Sequence, residues 1–257
     1  MTLPSASRRA PMPGGVMRGG RPKGGPALGT AYVLRRQDLT PDLMRLWLQA
    51  PPSFSFRAGQ HCTLVLEGQE RPFFIASAPW ELPLLELLAR RVPRGSFSHR
   101  LWHLAEGDAV ALRWQAQGPL TFDRRYRNQV FVSTGVGIAP FVSLLRDRLH
   151  TPPGVHRFWL LHLSVGEELA YAQELAGLAG RHPGALHYSL VPPLPKAIRN
   201  PELGGPLMTK AVRRWLDALD LDPRLTMIYL AGRRCLLEGA AEQLQALGWR
   251  LKRQFVD

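Results

Sequence analysis

The residues Ser133-Thr134-Gly135-Val136-Gly137-Ile138-Ala139-Pro140 have the types and the spacing to hold a pyrophosphate. They follow the apolar run Val130-Phe131-Val132 and precede Phe141-Val142-Ser143-Leu144-Leu145-Arg146, so the stretch reads as a strand, a glycine turn and a helix start. Two glycines one residue apart let the backbone turn tightly and approach a ligand closely. The helix that follows offers unpaired N–H groups and the positive end of its dipole. Where the usual fingerprint has a third glycine stands Pro140, whose fixed φ and missing N–H suit a first helical turn. An ordinary β-to-α turn shares this pattern, so support must come from the rest of the chain.

The elements that would position this turn change character near Asn128. From Thr30 to Phe122 the chain is a series of short β-like segments broken by Pro and Gly: 31–34, 44–48, 61–66, 73–76, 84–91 and 109–112, with one helix near 98–104. Their spacing predicts an antiparallel barrel or sandwich. Beyond Asn128, strands at 130–133, 158–163, 185–190 and 227–231 alternate with helices at 140–149, 170–179, 208–219 and 236–247. That alternation predicts a parallel sheet wrapped by helices, with ligands at the carboxyl ends of its strands. The boundary falls near Arg124–Arg127, giving domains over 29–125 and 126–257. Residues 1–28, rich in Gly and Pro and poor in large apolar side chains, read as a disordered basic leader. Arg8-Arg9 is followed by no apolar segment, so it does not read as an export signal, and a cytoplasmic location is expected.

Composition narrows the chemistry. The 257 residues carry a net charge of +13, of which the leader supplies five through Arg8, Arg9, Arg18, Arg21 and Lys23. A basic surface of this kind suits phosphate-bearing cofactors or an acidic protein partner. No aromatic-interleaved basic motif of a nucleic-acid module is present, and no apolar run is long enough to span a membrane. Cys62 and Cys235 are the only cysteines, too few to hold an iron–sulfur cluster. His99 and His103 lie four apart with no third ligand at a recognisable spacing, so no metal site is expected. There is no nucleophile elbow and no phosphate loop ending in Gly-Lys-Ser/Thr.

Five further segments stand in a telling order: Phe56-Arg57-Ala58-Gly59-Gln60, Arg71-Pro72-Phe73-Phe74-Ile75-Ala76-Ser77-Ala78-Pro79, Gly95-Ser96-Phe97-Ser98, Gly118-Pro119-Leu120 and Ile228-Tyr229-Leu230-Ala231-Gly232. In this order, and with the turn at Gly135, the chain from about residue 29 resembles the ferredoxin–NADP reductase superfamily, in particular its small flavin-reductase-like members. The resemblance implies two domains, an antiparallel β-barrel that binds FAD followed by an α/β parallel-sheet domain that binds NAD(P)H. It implies hydride transfer from NAD(P)H to FAD, then delivery to a free flavin or a redox protein. No side chain is implied as a catalyst, since the cofactors carry the chemistry.

The resemblance also assigns residues. Arg71, Pro72, Phe73 and Phe74 match the flavin-binding segment, with Arg71 for a flavin phosphate and Phe73 over the ring. Phe74 stands where relatives have a small hydroxyl residue, and a phenyl group donates no hydrogen bond, so Ser77 is a candidate replacement. Gly95, Ser96, Phe97 and Ser98, beside Arg94, match the flavin pyrophosphate segment, and a Gly-Ser pair there also makes a good N-cap. Thr134, Gly135, Val136 and Gly137 would hold the nicotinamide dinucleotide. Ala231 and Gly232 match a segment beside the nicotinamide, where relatives have cysteine in place of Ala231. Phe255 is a candidate for covering the flavin or for plain packing. In the stretch 161–169, Glu167 and Glu168 stand where relatives often have arginine, which leans toward NADH, although His162 and Ser164 could meet a 2′-phosphate. Two other readings stay open: a non-catalytic descendant that senses nucleotides or binds proteins, and an electron-transfer subunit of a larger complex.

Overall fold

Six antiparallel strands build the first half of the computed structural model, which describes residues 28–92, 95–152, 154–163, 169–191 and 201–256. They are β1 (Leu28–Thr40), β2 (Leu43–Gln49), β3 (His61–Leu66), β4 (Gln69–Phe74), β5 (Leu84–Arg90) and β6 (Ala109–Arg113). Their order in the sheet is β4-β3-β6-β1-β2-β5. The two edges meet through a bridge between Ile75 and Leu87, so the sheet curls into a barrel. Alternate residues point inward along each strand. Val33, Leu46, Leu48, Cys62, Leu64, Leu85, Leu87, Val110 and Leu112 fill the interior. A short helix α1 (Ser96–Leu101) buries Phe97 and Leu101 in the same core. Leu28, placed in the leader by sequence, opens β1 and pairs with Arg113, while the rest of the leader lies outside the described residues.

The second half is a parallel sheet of five strands: β7 (Asn128–Thr134), β8 (Arg157–Leu163), β9 (Leu186–Val191), β10 (Thr226–Arg233) and β11 (Arg250–Val256), in the order β11-β10-β7-β8-β9. The helices are α2 (Ala139–Leu149), α3 (Ala172–Arg181), α4 (Pro201–Asp217) and α5 (Arg234–Ala246). The central strand β7 is buried at all seven positions, as expected when helices cover both faces of a parallel sheet. The buried residues of α5, Leu236, Leu237, Ala240, Ala241 and Leu244, recur at helical spacing and pack with Met208, Val212 and Leu216 of α4. Two features differ from the sequence expectation. β11 is a fifth strand, and α4 begins seven residues earlier than Met208.

One apolar cluster runs through the seam between the halves. Leu43, Ala58, Phe74, Ala76, Leu88 and Leu120 of the first half pack with Phe131, Ile138, Phe141, Leu144 and Tyr229 of the second. Beneath it the linker is tied down: Tyr229 Oη accepts from the Asp123 N–H at 3.1 Å and donates to Gln129 Oε1 at 2.7 Å.

Candidate functional site

The glycine turn sits at the carboxyl end of the central strand, the place where an open parallel sheet offers a crevice. Gly135 has φ +55°, a left-handed conformation, and a Cβ there would meet nothing within 4 Å. Residues Gly135–Ile138 form a single 3-10 turn that runs directly into α2, with Pro140 in its first turn and no side chain capping the start. The first N–H groups of this helical run are therefore available to an anion. Gly137 has a different reason to be glycine. Its Cβ would lie 2.1 Å from the Ala231 carbonyl oxygen, and a Cβ on Gly232 would lie 2.1 Å from Thr134 Oγ1. The Arg233 N–H donates to that same Thr134 Oγ1 at 3.0 Å. Thr134, Gly137, Ala231 and Gly232 thus lock the end of β7 against the end of β10, and Gly135 and Val136 are the half-buried residues that face outward. Beneath them Ser133 Oγ is buried with no hydrogen-bond partner among the described residues.

On the barrel, β4 carries Arg71 exposed at the sheet edge, with Nη1 donating to the Glu70 carbonyl at 2.8 Å. Strand alternation separates its two phenylalanines. The Phe73 ring stacks on Phe97 of α1, centroids 5.8 Å apart, while Phe74 is 4% exposed and turned into the seam. Ser96 Oγ donates to Gln69 Oε1 at 3.0 Å, a second tie between α1 and β4. These contacts hold α1 against β4, and strand alternation puts Arg71 on the same face of β4 as Gln69 and Phe73. Pro72 lies exposed between Arg71 and Phe73.

Four sequence assignments are corrected. Ser98 is buried and its Oγ accepts from the Val92 N–H at 3.0 Å, so it holds the loop before α1. Ser77 is fully buried: its Oγ accepts from the Glu86 N–H at 3.0 Å and its carbonyl accepts from Ser143 Oγ at 2.7 Å. It joins barrel to α2 and offers no hydroxyl in place of the one missing at Phe74. Phe255 pairs with Gly232 across β10 and β11, and its ring packs in the core under α4 and α5, with the Arg234 guanidinium 5.6 Å from its centroid. The parity of β11 sends Gln254, not Phe255, toward the barrel. His162 is also unavailable to a phosphate, since it is buried beside Tyr188 Oη at 3.1 Å, and burial pushes its pKa down to about 4. Arg94 and 164–168, with Ser164, Glu167 and Glu168, lie outside the described residues.

Two groupings escaped the sequence reading. Gln254 Nε2 donates to His61 Nδ1 at 2.7 Å, and the His61 ring meets the Phe74 ring edge-on at 6.5 Å. Burial lowers the His61 pKa, so the ring is neutral and accepts at Nδ1. The other is an ion cluster around Glu86 and Arg146, for which the signal was a lone acid inside the apolar run Leu84-Leu85-Glu86-Leu87-Leu88.

Residues 131–242 match the family model described as the oxidoreductase NAD-binding domain. A ferredoxin–NADP reductase A from Sorangium cellulosum is 35% identical over 150 residues, covering 56% of this chain and 53% of that protein. The chain is similar to ferredoxin–NADP reductases. Another relative, the reductase subunit of an aromatic O-demethylase from Amycolatopsis, is 33% identical over 166 residues, covering 60% of this chain and 48% of that protein. The chain spans about half the length of these curated relatives. A ferredoxin NADP+ reductase structure from Neisseria gonorrhoeae, with bound FAD and NADP, superposes with a TM-score of 0.72 at 23% identity, over 89% of this chain and 98% of that one. That likeness is one of fold: an antiparallel barrel followed by a parallel α/β domain.

Proposed function

We propose that this protein is a flavin-dependent oxidoreductase that passes hydride from NAD(P)H to FAD and then to a free flavin or a redox protein. The flavin would lie on the barrel (29–125) and the dinucleotide on the α/β domain (126–257). The observation that carries this reading is the meeting of the two candidate segments at one seam, where Phe74 of β4 shares a cluster with Ile138, Ala139 and Ala231 around the glycine turn.

The donor sets fit two diphosphates. Arg71 presents an exposed guanidinium fork on the strand that α1 packs against, a good match for phosphate oxygens. Gly135 and Val136 present an uncapped helical start, open where a side chain would stand. Bound flavin supplies the two-electron carrier and the nicotinamide supplies the hydride. The chain's own part is to bind, orient and exclude water. Arg71 and Ser96 anchor one cofactor, the turn anchors the other, and the apolar seam keeps water from the ground between them. Phe74 adds apolar cover and no hydrogen bond. With His162 buried, the case for a 2′-phosphate weakens, which favours NADH.

An acidic redox protein is the acceptor the surface suits best. Arg57, Arg124 and Arg148 line a groove of 480 Å³ beside Phe56 and Phe122, with Asp147 as its acid. No helix among the described residues is long and apolar enough to cross a membrane. The cytoplasm is the setting we infer, since Cys62 and Cys235 are both free thiols.

The visible spectrum of the purified protein tests the reading. FAD added under nitrogen should give a bound-flavin spectrum that bleaches on adding NADH. Absence of flavin binding at high concentration would overturn it in favour of a non-catalytic descendant whose pocket Phe74 has closed. Reduction of an acidic carrier should weaken steeply as salt rises, and a salt-independent rate would remove that class of acceptor.

A further inference from the structure

Between barrel and α/β domain lies a cluster of charge that neither candidate binding segment uses. Arg146, from α2, donates from Nη1 to Glu86 Oε2 of β5 at 2.7 Å, and from Nε and Nη2 to the two carboxylate oxygens of Glu174 of α3, at 2.7 and 3.0 Å. Arg45 of β2 lies 3.1 Å from Glu86 Oε1 and 3.5 Å from Glu174 Oε2. Tyr171 Oη donates to Glu86 Oε1 at 2.8 Å, and the Arg45 guanidinium lies 4.0 Å from the Tyr171 ring centroid. Glu81, just before β5, adds a third carboxylate with Oε2 3.6 Å from Arg146 Nη1, so two arginines and three glutamates from both halves meet at the seam. Tyr171 holds a left-handed φ of +65° without being glycine, a conformation that persists where its surroundings over-determine it.

Stability is a poor explanation for such a cluster, because apolar side chains of similar volume hold a buried seam at least as well as ion pairs do. Direction is a better one. An apolar seam tolerates sliding, whereas a guanidinium fork gripping carboxylates from two elements has one geometry. The cluster is also wired to both candidate segments. Arg146 lies two turns along the helix that begins at the Gly135 turn, and its Nη1 also reaches the Ala76 carbonyl at 3.3 Å, two residues beyond Phe74. The Ala76 N–H donates to the Glu86 carbonyl at 2.8 Å, and Ser77 bridges Glu86 to Ser143 of α2.

We propose that Arg146 and Glu86 are positioning residues that fix the separation and angle between the β4 segment Arg71–Phe74 and the Gly135 turn, and so the reach of hydride from one cofactor to the other. The proposal rests on the functional reading above. The catalytic geometry would then be set from α2 and β5, by side chains that touch neither cofactor.

The test is a charge-balanced double variant, Glu86→Met with Arg146→Met, which leaves Arg45 paired with Glu174. It should unfold close to the wild-type temperature and bind FAD and NADH as tightly. Flavin reduction at saturating NADH should slow by about ten- to a hundredfold, since a displacement of about 1 Å is enough for this. Arg146→Lys, which keeps the charge and loses the fork, should fold normally and show a smaller slowing of the same kind. A second readout needs no cofactor: spin labels at Ser53→Cys and Glu242→Cys, in a Cys235→Ser background, should give one narrow distance distribution that broadens in the double variant. An unchanged rate, a loss confined to KM, or a distribution that stays narrow would each overturn the proposal. If the wild-type chain itself takes up no flavin, the functional reading fails, and the label distances alone decide whether the cluster fixes the two halves.

Discussion

Gly135 and Gly137 stand two positions apart and answer to different physics. At Gly135 the demand is conformational: φ is +55° and the space around it is open, so Gly135→Ala should cost about 1 kcal/mol and leave the fold intact while weakening dinucleotide binding. At Gly137 the demand is steric, because the missing Cβ would collide with the Ala231 carbonyl, and Gly137→Ala should cost about 3 kcal/mol. Urea melts of the two variants will separate these cases. His162 gives a prediction in pH. Its buried ring has a pKa near 4, whereas in the unfolded chain it takes up a proton near pH 6.5. The unfolded chain then binds more protons across that window, so stability falls as pH drops from about 6.5 to about 4, by up to about 3 kcal/mol. His162→Gln should remove most of that slope in melts taken at pH 7 and pH 4.5. Phe74→Ser should lower stability by about 3 kcal/mol through the cavity it leaves. It should also tighten flavin binding in a titration, by restoring a small hydroxyl at the seam.

Strand parity decides what β11 contributes. Lys252 and Gln254 face the barrel, where Lys252 Nζ donates to the Thr121 carbonyl at 2.6 Å, while Phe255 faces α5. Phe255→Ala should therefore loosen α5 and β11, read as faster amide exchange in both, with the flavin spectrum unchanged. This strand is also where sequence reading stopped short. Arg250-Leu251-Lys252-Arg253-Gln254-Phe255 looks like a solvated tail, because its polar face meets the linker and the barrel, and polarity alone does not distinguish protein partners from water. The strands β7, β8 and β10 were legible since a buried parallel strand is a near-continuous apolar run. The glycine turn was legible for a related reason, as its backbone demands are written in residue types. Ser77, by contrast, has nothing in its own sequence to say that Glu86 and Ser143 claim it.

At the scale of the whole molecule, the apolar cluster through the seam and the ion cluster beside it make the two halves one unit. Calorimetry of the wild-type chain should show a single cooperative transition, and two resolved transitions would show that the seam is weaker than its packing implies. The two-domain plan was readable from the change of texture near Asn128. The seam was not, because its members come from β2, β4, β5, β7, β10, α2 and α3, and no local pattern reports a contact between elements so far apart in the chain.

That separation has a consequence for how the protein is made. The loop that closes the barrel is held at Thr121 by Lys252 and, through His61, by Gln254, contacts that span 131 and 193 positions. On a ribosome, which delivers the chain from its amino end, the barrel strands would emerge long before the strand that secures them. The barrel interior is built from its own strands, so it can close early, but a stall in translation anywhere between Thr121 and Lys252 would leave its apolar seam face open to chaperones and proteases.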